Sequence, residues 1–104
     1  MLKTVADLSE IGIILKPVFI QNNVKRAAVF GSYARGEQKD DSDMDFVVDF
    51  ADGASLLDLG GLFEDLSEAT GRKVDILTYH SLMREPNDFA ANVMNEIKVI
   101  YEAD

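Results

Sequence analysis

Ala27-Ala28-Val29-Phe30-Gly31-Ser32-Tyr33-Ala34-Arg35-Gly36-Glu37, with Asp41-Ser42-Asp43-Met44-Asp45-Phe46-Val47-Val48 shortly after it, decides how this chain folds. An apolar run of strand length stops at a Gly-Ser pair. Residues 33–42 follow, and an Asp-x-Asp pair then opens a second apolar run. The connection is too short for an ordinary crossover helix, so the two strands are expected to run antiparallel. Side chains alternate faces along a strand, which points Asp43 and Asp45 the same way, two rises of about 3.3 Å apart.

Outward from this segment, Leu8, Ile11, Leu15, Val18, Phe19 and Asn22 recur at mostly three- or four-residue spacing, which predicts an amphipathic helix over 5–22. Ser9 is the expected N-cap, and Gly12 and Pro17 are positions where the helix could bend. Lys25 to Phe30 is the first strand, Gly31 to Arg35 a turn entering a brief helix, and Asp43 to Phe50 the second strand. Asp52-Gly53 makes a turn, and Leu56, Leu57, Leu59, Leu62, Phe63 and Leu66 give a helical face that ends at Gly71. Lys73 to Leu77 is a third strand, Pro86 opens a helix to about Met94, and Ile97 to Tyr101 closes as a strand. A full helix between strands two and three makes that pair parallel. The fold class is α/β, a small mixed β-sheet with flanking helices.

The chain has 104 residues, enough for one domain with one core. A net charge of −9 argues against an extended nucleic-acid groove, which needs clustered Lys and Arg. There is no cysteine, so disulfides and zinc thiolate sites are excluded. No apolar run approaches the roughly 18 residues that cross a bilayer, and the start Met1-Leu2-Lys3-Thr4 lacks a secretory signal, so a cytoplasmic setting without membrane contact is expected.

Two hard carboxylates at strand spacing suit a magnesium ion, which takes oxygen ligands and keeps several waters. A parallel third strand brings Asp75 alongside Asp43 and Asp45. A charge inside Val74-Asp75-Ile76 is out of place in a buried strand unless something pairs with it. Three converging carboxylates suit two-metal catalysis, one ion acting on an acceptor hydroxyl and the other on a triphosphate and its leaving oxygen. Gly31 lets backbone N–H groups approach phosphate, Ser32 adds a hydroxyl donor, and Arg35 lies one helical turn on. A phosphate-sized backbone pocket beside a metal site is what nucleotidyl transfer requires. Other candidates have plainer readings. Asp49 lies about four rises from Asp45, roughly 13 Å, and is a solvated strand end. Asp40 and Asp41 are loop charges, His80 a surface turn residue, and Arg72-Lys73 a helix-end cap.

Val29 to Glu37 with Asp41 to Phe46, joined by Ser55-Leu56-Leu57-Asp58-Leu59 and Gly71-Arg72-Lys73-Val74-Asp75-Ile76-Leu77, resembles the minimal, antitoxin-like nucleotidyltransferases of the DNA polymerase beta superfamily. The resemblance implies a single nucleotidyltransferase domain over 1–104 with a polymerase-beta-like core, using ATP with magnesium, two ions being expected. It carries Gly31 and Ser32 over as phosphate contacts and Asp43, Asp45 and Asp75 as catalytic metal ligands. It implies a HEPN-domain ribonuclease toxin as partner, silenced by AMP transferred to a tyrosine hydroxyl, in the manner of a type VII antitoxin. Two alternatives stand beside this: a non-catalytic antitoxin that neutralises by docking, and a small-molecule nucleotidyltransferase of the aminoglycoside type. A homodimer is left open.

Overall fold

The computed structural model describes residues 7–39 and 41–103. Among the described residues nine elements follow one another: α1 (Leu8–Gln21), β1 (Val24–Phe30), α2 (Ser32–Arg35), β2 (Met44–Phe50), α3 (Leu56–Thr70), β3 (Val74–Thr78), α4 (Tyr79–Arg84), α5 (Asp88–Glu96) and β4 (Lys98–Glu102). The four strands form one mixed sheet in the order β3-β2-β1-β4. β1 pairs antiparallel with β2, and β2 parallel with β3, as the connection lengths predict, while β4 pairs antiparallel with β1.

Strand alternation splits the interior into two cores. Ala27, Val29, Met44, Phe46, Val48 and Val74 meet Ile11, Leu15 and Phe19 of α1 and Leu62 and Leu66 of α3 on one face. Ala28 and Val47 point the other way and pack with Tyr79, Leu82, Ala90 and Val93 of α4 and α5. This second layer is the smaller. Asp43, Asp45 and Asp75 have the parity of Val47 and therefore lie on its side of the sheet.

Several local expectations need correction. Asp7, not Ser9, caps α1, its carboxylate accepting the Glu10 N–H at 2.8 Å. α1 runs through Pro17 without ending. Residues 5 and 6 of the expected helix, and Asp40 of the expected loop, lie outside the described residues. Asn22 is a buried C-cap rather than part of an apolar stripe, and its amide donates to Val18 O and to Asp65 Oδ2, both at 2.9 Å. Pro86 does not open α5; Asn87 caps it, accepting the Ala90 N–H at 2.8 Å. His80 was expected as a surface turn residue, yet Thr78 caps the helix α4 there directly at the end of β3. α3 has the boundaries that its signals give: a Ser55–Asp58 capping box at one end and Gly71 in the left-handed region at the other.

α1 crosses β4 closely at Gly12, where a Cβ would strike the Ile100 carbonyl oxygen. Alanine favours a helix interior over glycine by about 1 kcal/mol, but the atom met here is backbone and cannot rotate aside. Gly12→Ala is therefore expected to lower stability by about 1–2 kcal/mol in urea unfolding. A variant more stable than the parent would show that α1 does not sit this close.

Candidate active site

β1 ends at Phe30, opposite Asp45, and the chain then turns sharply at Gly31. Gly31 adopts φ 72°, ψ −147°, a conformation open in practice only to glycine. The turn lies directly over β2, and a Cβ on Gly31 would stand 2.5 Å from Asp45 Oδ2. The missing side chain is what lets the Gly-Ser bend and the carboxylate share the space. Tyr33, next along, is buried in the first core beneath the bend.

Asp45 and Asp75 are register partners on neighbouring parallel strands. Their side chains are close enough for Asp75 to act on the Asp45 carboxyl. Burial, then the charges of Asp75 and Asp43, pushes Asp45 up to about 6. The three aspartates thus face one another from the mouths of two strands. Among the described residues, no three carboxylate, histidine or cysteine side chains stand close enough to hold a metal ion as they are. The closeness of Asp45 and Asp75 gives the reason to expect movement: two carboxyl groups so close require a proton or a cation between them.

Asp75 differs from the expectation of a buried charge. β3 is an edge strand, and Asp75 is exposed at its rim, as is Asp43; Asp45 alone is half-buried. Two grooves meet at Asp75. One, of about 380 Å³, is lined by Phe30, Asp45, Asp75, Ile76, Leu77 and Phe89. The other, of about 480 Å³, is lined by Leu56, Leu59, Gly60, Phe63, Asp75 and Ile76. A larger groove of about 550 Å³ runs between α1 and β4, away from the aspartates, with Lys16, Tyr101 and Glu102 in its lining.

Arg35 is close to the bend but already engaged. Its Nε donates to Glu37 Oε1 at 2.7 Å, and its Nη1 pairs with Glu96 Oε2 at 3.0 Å. Glu96 also accepts the Gly31 N–H through Oε1 at 2.5 Å. This residue was not singled out in the sequence, and no local signal marks it, because it reaches the bend from 65 positions away. Of the residues given plainer readings, His80 lies within α4 rather than in a turn. Asp49 lies 3.9 Å from Arg26, Asp41 and His80 are exposed, and the Arg72 guanidinium sits 5.9 Å from the Tyr33 ring centre.

Residues 14–104 match the family described as Polymerase beta, Nucleotidyltransferase. The chain belongs to that family. Among its nucleotidyltransferase relatives is a candidate protein adenylyltransferase of Methanocaldococcus jannaschii, 49% identical over 76 residues, which are 73% of this chain and 82% of the relative. A solved structure of a candidate minimal nucleotidyltransferase superposes with a TM-score of 0.69 at 30% identity, covering 92% of this chain and 98% of the other. A complex of a tri-AMPylated HEPN toxin with its MNT antitoxin, from Shewanella oneidensis, contains a chain that matches with a TM-score of 0.60 at 18% identity. That match covers 88% of this chain and 70% of the other; at such identity the likeness speaks for the fold. Among the described residues of this nucleotidyltransferase, no helix is long and apolar enough to cross a membrane.

Proposed function

We propose that the chain is an antitoxin-type protein adenylyltransferase that moves AMP from ATP to a tyrosine hydroxyl of a HEPN-domain toxin. The observation that carries this reading is the meeting of Asp45 and Asp75 beside the Gly31 bend. Catalytic duty falls to Asp43, Asp45 and Asp75, and nucleotide binding to Gly31, Ser32 and Arg35. The donor set is all carboxylate oxygen, which fits magnesium, and Asp43, Asp45 and Asp75 would hold it after a change of side-chain rotamer. When bound, magnesium neutralises the triphosphate and makes the acceptor hydroxyl more acidic.

The backbone N–H groups of the bend and the Ser32 hydroxyl would fix the phosphate oxygens, with the α-phosphorus turned toward Asp75. The acceptor oxygen forms a bond to that phosphorus as the bond to the bridging oxygen breaks. Pyrophosphate leaves with the electron pair, and Asp75, exposed at the rim, takes the acceptor's proton. The rim suits a protein acceptor. Leu56 and Phe63, 85% and 50% exposed, line the groove on the α3 side of Asp75, and Leu57 of the same helix is 87% exposed.

With ATP, magnesium and a HEPN partner, intact-mass spectrometry is expected to show the partner gaining AMP in whole steps. No added mass across metals and nucleotides would end the enzymatic reading. The same exposed leucines also favour docking without chemistry. The Asp43→Asn/Asp45→Asn double variant separates the two readings. Loss of toxin neutralisation is expected, whereas full neutralisation by that variant supports the docking module.

A further inference from the structure

Glu96 ends α5 and occupies the donors that the proposed function assigns to the nucleotide. Its two carboxylate oxygens are divided between the Gly31 N–H at 2.5 Å and Arg35 Nη1 at 3.0 Å. A backbone N–H and a guanidinium presented together to one oxyanion are the recognition chemistry of a phosphate group, and a carboxylate satisfies the same two donors. The negative charge of Glu96 also acts on Asp45, so it adds to the negative charge of the pocket that a polyanion has to enter. Meanwhile α5 is fixed behind it. Ala90 and Val93 sit in the second core, and the Ile97 N–H closes the helix on Val93 O at 3.1 Å. The backbone of Glu96 has no need to move for its side chain to rotate toward solvent, since that side chain is 29% exposed.

We propose that Glu96 is a built-in stand-in for the triphosphate. In the free protein it holds the Gly31 bend and Arg35 in place. When nucleotide binds, Glu96 turns away, and phosphate oxygens take over the Gly31 N–H and Arg35. Glu96 is on this account a positioning residue that sets nucleotide affinity, and it does not touch the reacting atoms. The inference rests on the reading of Gly31 and Arg35 as phosphate contacts.

Glu96→Gln tests it, because glutamine keeps the length and an oxygen acceptor for the Gly31 N–H while removing the charge. The probes are magnesium–ATP and inorganic tripolyphosphate, with adenosine as a control that lacks phosphate, all measured by calorimetry. Glu96→Gln is expected to bind both polyphosphates on the order of tenfold more tightly, because a charged competitor has been replaced by a neutral one. Adenosine binding should stay the same, and KM for ATP should fall without a matching fall in kcat. Unchanged or weaker tripolyphosphate binding by a folded Glu96→Gln protein would make Glu96 a fixed cap on the bend and overturn the inference, while ATP binding by the parent would leave the nucleotidyltransferase reading standing. A parent that binds neither polyphosphate would overturn both. Should the variant not fold, the parent itself decides. The Glu96 side-chain carboxyl NMR signal is expected to shift as tripolyphosphate saturates the site, and an unmoved signal at saturation refutes displacement.

Discussion

Asp45→Asn is expected to end AMP transfer and, in the same molecule, to make the metal-free protein more stable at neutral pH. The two effects have one source. Asp45 is the half-buried member of three facing carboxylates, and burial first, then Asp75 and Asp43, raises it from 3.8 to about 6. A carboxyl whose folded value lies above its unfolded value binds its proton more tightly in the folded state. Its stabilising contribution is therefore complete below pH about 3.8 and is lost as pH rises through about 6. At pH 7.5 the ionised group opposes folding, by about 1–2 kcal/mol once the shift is discounted for solvent screening. Asparagine removes that charge and can donate a hydrogen bond to Asp75. Without metal, the variant should melt a few degrees above the parent at pH 7.5, and the gap should narrow toward pH 4.5. On the proposed mechanism the same change removes a charge assigned to the metal beside the triphosphate, so transfer should fall roughly a thousandfold, equivalent to about 4 kcal/mol. A variant less stable than the parent at pH 7.5 would mean that the Asp45 charge is not held against its neighbours.

The second large effect is expected at Gly31→Ala. φ 72° with ψ −147° is a strained backbone for any residue with a side chain, by about 1–3 kcal/mol. The new methyl would also lie 2.5 Å from Asp45 Oδ2, so either the bend or the carboxylate has to shift. A loss of about 2–4 kcal/mol in urea unfolding is expected, together with transfer below a hundredth of the parent's. Gly36→Ala and Gly53→Ala are the controls. Both positions also have positive φ, 72° and 86°, but nothing lies within 4 Å of a Cβ there. They should lose about 1 kcal/mol through backbone strain alone and keep their activity. If Gly31→Ala behaved like these two, the close approach of bend and carboxylate would not exist in solution.

Much of this arrangement could be read from residue spacing. The parity of Asp43 and Asp45 follows from the two-residue repeat of a strand. The parallel pairing of β2 and β3 follows from the helix that joins them, and together these bring Asp75 beside Asp45. The rest depends on contacts that no local pattern encodes. The order β3-β2-β1-β4 leaves β3 at the sheet edge, so Asp75 is exposed despite its apolar neighbours. α4 is short and begins at Thr78 without a linker, so its apolar residues are too few to show a helical period. Pro86 looks like a helix start, but the Asn87 cap is a stronger local signal and takes that position. Glu96 is a surface acid in sequence and becomes part of the site only because α5 ends over the Gly31 bend.

The central claim is that carboxylates from two different strands share one cation. Manganese binding followed by electron paramagnetic resonance tests it most directly, in the parent and in the single Asp→Asn variants at 43, 45, 75 and 49. Each of the first three is expected to weaken binding by roughly tenfold or more, and Asp49→Asn to leave it unchanged. Tight manganese binding that survives Asp75→Asn undiminished would contradict the account.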